Sequence, residues 1–142
     1  MAQTVKDIQN KILEIMVWID KVCRENNITY YLMSGTALGA VRHGGFIPWD
    51  DDLDIFMTPV EYERFKKVFY EMNPEQFVIQ EWGEAEGYVR YAKVRMNNTT
   101  FIEEAFKDRK DLHQGIYVDI MFLHKIPDNG LIQKITYFES KY

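Results

Sequence analysis

Apolar residues recur at helical spacing near the start of the chain. Five of them are separated by three or four residues, the period of one helix face: Ile8, Ile12, Ile15, Ile19 and Val22. Thr4-x-x-Asp7, just before this run, resembles a capping box with Asp in place of the usual Glu or Gln. The pattern predicts an amphipathic helix that ends near Asn26 and buries its apolar stripe, together with Cys23.

After this helix, short runs rich in β-branched and aromatic residues alternate with helical segments. The runs typical of strands are Ile28–Met33, Leu53–Met57, Phe77–Gln80, Tyr88–Met96, Thr99–Ile102 and Ile116–Leu123. Helices are predicted over Thr36–His43, from Pro59 to Met72 with Thr58 as N-cap, and over Leu131–Tyr142. The segments therefore predict a domain that combines helices with a β-sheet.

The composition is that of one globular domain. The chain has 142 residues, of which 46% are hydrophobic and 27% are charged, so we expect a single domain over residues 1–142. The last predicted helix carries apolar residues that have no following segment to pack on, such as Ile132, Ile135 and Phe138. The domain is therefore either naturally short or truncated at its C-terminus.

The charge balance and the single cysteine limit the partners and the compartment. A net charge of −5 argues against nucleic acid, because nucleic-acid-binding surfaces usually carry a basic excess. Cys23 alone cannot form an intramolecular disulfide, which favours a reducing compartment. The sequence has no apolar run of about 18 residues and no N-terminal signal region. We therefore expect a cytoplasmic protein, and peripheral contact with the inner face of a membrane stays open.

Four aspartates lie directly before and within one predicted strand: Asp50, Asp51, Asp52 and Asp54. Asp52 and Asp54 point to the same face of an extended strand and are separated by roughly 6.5–7 Å along it. Side chains so placed can hold a divalent cation, and Mg²⁺, with Mn²⁺ as the alternative, suits oxygen ligands completed by a substrate phosphate. A solvated acidic turn is the plainer reading, but such a turn does not require the alternation with Leu53 and Ile55.

A calcium-binding EF-hand loop is a second reading of these acids. Asp50, Asp52, Asp54 and Glu61 occupy positions one, three, five and twelve of such a loop. Its sixth position requires glycine, whereas this sequence has Ile55 there, and Pro59 falls inside the loop. We reject the EF-hand on these two grounds.

The run Met33-Ser34-Gly35-Thr36 marks a strand that breaks into a helix. Backbone N–H groups at such a break can hold a phosphate oxygen, and a glycine lets the backbone approach the ligand closely. Joins of this kind are common, so its weight comes from the acidic strand that follows. Arg42, in the same predicted helix, is either a bidentate phosphate ligand or a surface residue.

A single carboxylate, Asp119, lies in the otherwise apolar strand segment Ile116–Leu123. Central strands rarely carry a lone acid without a partner, because burying an uncompensated charge is costly. The compensation is either a metal ion shared with Asp52 and Asp54 or a salt bridge to a buried Arg or Lys. Lys93 and Arg95 alternate on another predicted strand, where a phosphate contact and a solvated face are both open.

Together these segments resemble the nucleotidyltransferase superfamily, which pairs a glycine turn with an acidic-x-acidic strand and a later third acid. The long run from Tyr31 to Ile55, YLMSGTALGAVRHGGFIPWDDDLDI, and the run Gly115–Leu123, GIYVDIMFL, are more specific and are similar to the LicD family. Its members are cholinephosphotransferases of bacterial surface glycans, related to fukutin-type proteins. The resemblance covers residues 5–125 and implies an α+β fold, a nucleotidyltransferase-like mixed β-sheet flanked by helices.

The resemblance implies a Mg²⁺-dependent transfer of phosphocholine, or a similar phospho-substituent, to a sugar hydroxyl of a glycan or glycolipid precursor. The donor would be CDP-choline or a similar cytidine nucleotide. Implied catalytic residues are Asp52, Asp54 and Asp119, which with Asp50 are also the implied metal ligands. Ser34 and Gly35, with Arg42, are expected to bind the donor phosphates. Two alternatives stay open: a nucleotidyltransferase that attacks a nucleoside triphosphate, and a non-catalytic module that only binds metal and nucleotide.

Overall fold

The structure is a computed structural model that describes residues 4–83 and 89–124. In these residues the helices are α1 (Val5–Glu25), α2 (Ser34–His43) and α3 (Pro59–Met72). The strands are β1 (Tyr31–Leu32), β2 (Asp54–Met57), β3 (Phe77–Gly83), β4 (Val89–Met96) and β5 (Tyr117–Phe122), and a 3-10 helix covers Glu104–Phe106. The predicted helix Leu131–Tyr142 lies outside the described residues.

The five strands form one mixed sheet in the order β1-β2-β5-β4-β3. Strands β2 and β5 run parallel, and the other three neighbouring pairs are antiparallel. The central position of β5 places it between the two strands that carry the charged residues of interest, β2 and β4. The predicted α+β fold, a mixed sheet flanked by helices, is confirmed.

Helices α1 and α3 cover one face of the sheet. The core joins the apolar stripe of α1 to aromatic residues of α3 and to alternate strand residues, among them Ile15, Phe65, Ile55, Val94 and Ile120. Because side chains alternate along a strand, the residues between these core positions point to the opposite face. Asp54, Lys93 and Asp119 lie on that opposite face.

Local capping explains why the two long helices begin where they do. The Thr4 hydroxyl accepts a hydrogen bond from the Asp7 N–H, and the Asp7 carboxylate accepts one from the Thr4 N–H, so the predicted capping box is formed. Thr58 accepts from the Glu61 N–H at 3.2 Å, and Pro59 occupies the first turn of α3. Both features were predicted from the sequence and are confirmed.

Several predicted boundaries are wrong. The strand expected over Ile28–Met33 is reduced to β1, and α2 begins at Ser34 rather than Thr36. No strand forms over Thr99–Ile102. There the Thr99 hydroxyl donates to the Met96 carbonyl and accepts from the Ile116 N–H. The Thr99 side chain therefore connects the end of β4 to the residue before β5, and the segment does not add a strand to the sheet.

Candidate active site

Asp54 and Asp119 lie side by side on neighbouring parallel strands. They are register partners in the β2–β5 pair, and strand neighbours of this kind lie about 4.8 Å apart. The Asp119 N–H donates to the Leu53 carbonyl at 3.0 Å, which fixes the register where β2 begins. The two acids therefore share one sheet face, as the shared-metal alternative for Asp119 requires.

Two more aspartates approach this pair from the segment before β2. Asp52 is half-buried, and burial, followed by the charges of Asp54 and Asp50, raises its pKa to about 6. Burial also raises the pKa of Asp54, and the neighbouring Asp119 adds to this effect. We call Asp50, Asp52, Asp54 and Asp119 the acidic site, because Asp54 and Asp119 are register partners and the other two lie in the segment just before β2.

The donors of the acidic site suit a hard divalent cation. All are carboxylate oxygens, which Mg²⁺ and Mn²⁺ prefer, and Asp119 Oδ1 is buried without a well-aligned hydrogen bond from any described residue. In the conformation seen here, no three acidic, His or Cys side chains of the described residues converge closely enough to hold a metal ion. Mg²⁺ commonly uses one or two carboxylates together with substrate phosphate, so the residues fit the group without forming a closed cage.

The Ser34–Gly35 turn adjoins the acidic site. Ser34 has a backbone φ of 45°, a left-handed conformation that is uncommon for serine. The Met33 N–H donates to the Asp54 carbonyl, and the Asp54 N–H donates to the Thr36 hydroxyl, both at 3.0 Å. These two hydrogen bonds join the first turn of α2 to the start of β2, so the predicted phosphate turn lies next to the predicted metal ligand Asp54.

Arg42 lies at the far end of α2 from this turn. It is exposed, and its Nε is 3.4 Å from the neighbouring His43 ring. It follows Ser34 by eight positions in the same helix, which corresponds to about 12 Å along the helix axis. The structure therefore does not bring Arg42 to the acids together with Ser34 and Gly35.

Lys93 and Arg95 are buried, so the solvated strand face considered from the sequence is wrong. Their residues are 3% and 2% exposed. Lys93 Nζ lies 2.9 Å from Asp119 Oδ1 and 3.1 Å from Glu103 Oε2, and an Arg95 guanidinium nitrogen lies 2.8 Å from Glu103 Oε1. The salt bridge that the sequence left open for Asp119 is thus present. We call Asp119, Lys93, Glu103 and Arg95 the buried charge network.

Aromatic rings flank this network. Lys93 Nζ lies 3.4 Å from the Tyr117 ring centroid, and Trp82 stacks on Tyr91 with ring centroids 5.0 Å apart. The Lys93 ammonium is close enough to be attracted to the negative face of the Tyr117 ring. Trp49, directly before Asp50 in the sequence, is 74% exposed and therefore does not pack in the core.

Gln9 supports the acidic site and was missed in the sequence. Its side-chain amide is buried in α1 and donates to the carbonyls of Ile47, at 3.1 Å, and Asp50, at 2.8 Å. Gln9 falls on the same helical spacing as the buried Ile12 and Met16. A polar residue on an apolar stripe was the signal that could have identified it.

A cavity opens beside the turn. It has a volume of about 410 Å³, within the range usual for ligand sites, and Gly35, Thr36 and Asp50 contribute to its wall. Most of the remaining wall is apolar, with Leu13, Met16, Leu32 and Phe46 among its residues. The cavity therefore joins a polar end at the acidic site to an apolar interior.

Comparison with known proteins decides the family. The sequence model described as "LicD/FKTN/FKRP, nucleotidyltransferase domain" matches residues 27–142, which include the turn, the acidic site and the buried charge network. The chain belongs to this family. The LicD resemblance seen in the sequence is thereby confirmed.

Individual relatives agree with the family assignment. Over 129 residues the chain is 30% identical to the lipopolysaccharide cholinephosphotransferase LicD of Haemophilus influenzae, covering 91% of this chain and 48% of that protein. Over 131 residues it is 30% identical to an uncharacterised protein of Rickettsia prowazekii, covering 92% and 46%. The chain therefore spans about half the length of these two relatives.

The acidic site is placed on the side of the sheet away from the two long helices. None of the helices in the described residues has the length and apolar character needed to cross a bilayer. The acidic site lies on the sheet face that α1 and α3 leave uncovered, since those helices pack on the opposite face. The half-buried residues Asp52 and Asp54 therefore lie outside the apolar core, while Asp119 beside Asp54 is buried.

Proposed function

We propose that this chain carries the metal-dependent active site of a transferase that moves phosphocholine, or a similar phospho-substituent, from a CDP-linked donor to a sugar hydroxyl. The observation that carries the proposal is the register pairing of Asp54 and Asp119 beside the Ser34–Gly35 turn. The group and the glycan or glycolipid acceptor are suggested by the Haemophilus influenzae relative, whose name specifies choline phosphate and lipopolysaccharide. A glycolipid acceptor would be met at the surface of a membrane.

The acidic site would hold Mg²⁺, or Mn²⁺ in its place. Asp54 and Asp119 supply adjacent carboxylates, and Asp52 and Asp50 add negative charge close by. When bound, the cation would neutralise the donor diphosphate and the charge that develops on the transferred phosphoryl group. Burial, with the neighbouring acids adding to it, raises the pKa of Asp52 and of Asp54, and a bound cation would compensate carboxylates held in such a place.

The remaining work of the site is orientation. Backbone N–H groups at the start of α2 can donate to a phosphate oxygen, and the left-handed Ser34 sets the direction of this turn. The cavity beside Gly35 and Thr36 offers volume for another part of the donor. Transfer of a phosphoryl-type group depends chiefly on such positioning and on charge neutralisation, so these residues need no covalent role.

The proposal is tested by product analysis with the chain as it stands. Purified protein is incubated with CDP-choline and Mg²⁺, with or without a simple hexose, and released CMP is measured. We expect CMP release that stops with a chelator and falls at least about 100-fold in Asp54→Asn, because an anionic ligand is lost.

A parallel incubation with CTP distinguishes the competing functions. Pyrophosphate from CTP, without CMP from CDP-choline, would assign a nucleotidyltransferase instead. Nucleotide-dependent thermal stabilisation without either product would assign a binding module. If neither a product nor nucleotide binding is detected, the whole proposal is rejected.

A further inference from the structure

Lys93 lies at the centre of the buried charge network. Its Nζ contacts Asp119 Oδ1 at 2.9 Å, Glu103 Oε2 at 3.1 Å and the Tyr117 ring at 3.4 Å from the centroid. The side chain is only 4% exposed. The two ion pairs hold the ammonium group between Asp119 and Glu103.

Glu103 and Arg95 anchor Lys93 from the side away from Asp119. Glu103 uses one oxygen for Lys93 and the other for Arg95. Arg95 in turn donates to the Gly115 carbonyl at 2.8 Å and to the Gln80 side chain at 2.5 Å. Glu103, Gly115 and Gln80 therefore fix Arg95, and Glu103 holds Lys93 through a contact that does not involve Asp119.

The charges of the network balance without Asp54. Two cations, Lys93 and Arg95, face two carboxylates, Glu103 and Asp119. Asp54 is the next carboxylate along the sheet: Asp119 is its register partner on one side and pairs with Lys93 on the other. Lys93 is thus the cation that allows two register-paired acids to coexist on one sheet face.

We propose that Lys93 is a positioning residue, the internal counter-cation whose ion pair holds the Asp119 carboxylate in place beside Asp54 until a divalent cation arrives. Lys93 meets Asp119 Oδ1 at ion-pair distance, yet that oxygen accepts no well-aligned hydrogen bond from the described residues. A lysine ammonium acts as a point charge, so this contact holds the carboxylate without saturating it. This inference rests on the proposed function in one respect only, the binding of a divalent cation at the acidic site.

A lysine that only stabilised the fold would behave differently. If Lys93 is the counter-cation of Asp119, its removal leaves a charge that a divalent cation can compensate. If it only packs against Tyr117 and Glu103, its removal costs the same stability with and without that cation. The dependence of the loss on added metal therefore separates the two roles.

The experiment compares Lys93→Met with Lys66→Met by thermal melting, with a chelator or with Mn²⁺ alone as the probe. Lys66 is a matched control, because its Nζ also pairs with a carboxylate, Glu81 at 3.1 Å, and lies 5.4 Å from the Tyr62 ring centroid. We expect Lys93→Met to lose most of its deficit in Tm when Mn²⁺ is added. Its apparent affinity for Mn²⁺ should exceed that of wild type about tenfold, because a competing positive charge is gone. Lys66→Met should lose the same amount in both conditions.

Equal losses of Lys93→Met with and without Mn²⁺ would overturn the proposal, provided that wild type is stabilised by Mn²⁺. If Mn²⁺ does not stabilise wild type, the metal site itself fails, and the counter-cation role is judged without metal. Without metal, the single variant Lys93→Met should have a lower Tm than the double variant that combines Lys93→Met with Asp119→Asn. The reason is that the second change removes the carboxylate charge left uncompensated by the first. The same comparison applies if Lys93→Met does not fold: folding of the double variant supports the proposal, and its failure to fold overturns it.

Discussion

Gly35 lies against the carboxylate of Asp50: a Cβ on Gly35 would be only 3.1 Å from Asp50 Oδ2. The same glycine lies in the first turn of α2, and the residue before that helix, Met33, donates its N–H to the Asp54 carbonyl. A side chain at position 35 therefore acts on the acidic site and on the predicted phosphate turn together. Space beside Asp50 is the reason for glycine at this position, because its φ is not in the left-handed region.

Gly35→Val should weaken Mg²⁺-dependent nucleotide binding at least about tenfold while the protein stays folded. The branched side chain would displace the Asp50 carboxylate and crowd a phosphate at the turn. Binding is measured by the nucleotide-induced shift in Tm. Gly45→Ala is the control, since its Cβ would meet nothing within 4 Å. Normal binding by Gly35→Val would place the phosphate site elsewhere.

Asp52→Asn and Asp54→Asn should each reduce Mg²⁺-dependent binding of a cytidine nucleotide, because each removes an anionic oxygen ligand. We expect losses of roughly 10- to 100-fold, and larger ones for Asp54, which is the register partner of Asp119. Titration with and without a chelator checks this. Wild-type affinity that does not change with the chelator would show that no cation takes part.

Without metal, stability should depend on pH through Asp52. Its folded-state pKa is raised to about 6 from an ordinary 3.8, with burial as the largest cause. Between these values the folded state binds more protons than the unfolded state, so its stability rises as the pH falls. His113, whose pKa burial lowers, acts in the opposite direction in this window, and it is present in both proteins to be compared.

The measurement is therefore the difference in Tm between wild type and Asp52→Asn at about pH 7 and about pH 5. Asp52→Asn should be the more stable protein at neutral pH, and its advantage should shrink by a few degrees at the lower value. Two curves that stay parallel would mean that Asp52 titrates in the folded protein as it does in water.

Gln9→Leu should weaken both stability and metal-dependent binding. The change removes the donors to the Ile47 and Asp50 carbonyls, and an unsatisfied buried polar group costs about 1–3 kcal/mol. The segment before β2 would then hold Asp50 less firmly. Asn10→Ala, at the exposed neighbouring position in α1, is the control. A loss of stability with unchanged binding would restrict Gln9 to a structural role.

Periodicity and capping were sufficient to predict α1 and α3. Each has a local signal at its start, Thr4 with Asp7 and Thr58 with Pro59, and an apolar stripe that must be buried. Strand alternation likewise predicted that Asp54 faces away from Leu53 and Ile55, which are buried. Such features depend on residues close together in sequence, which is why they can be read from it.

The partners of the charged residues could not be predicted in the same way. Lys93 and Arg95 have the alternation that is typical of a solvated strand face. They are buried because Glu103 pairs with both, and Glu103 comes from a segment without periodicity that could not be placed from the sequence. The register of β2 against β5 joins residues far apart in the chain, and nothing local specifies it. The salt bridge and the acid pair at Asp119 are both consequences of this register and of the β4–β5 pairing.

Asp119→Asn gives the most demanding test, because Asp119 belongs to both the acidic site and the buried charge network. Burial raises the pKa of this carboxyl even though Lys93 opposes the shift, so its charge is held at a net cost. Neutralising it with an isosteric amide should therefore change the metal-free Tm only slightly, while Lys93 keeps Glu103 as a partner. Stabilisation by Mg²⁺ and nucleotide, and release of CMP, should both disappear. A large metal-free loss would instead make Asp119 chiefly a structural ion-pair partner.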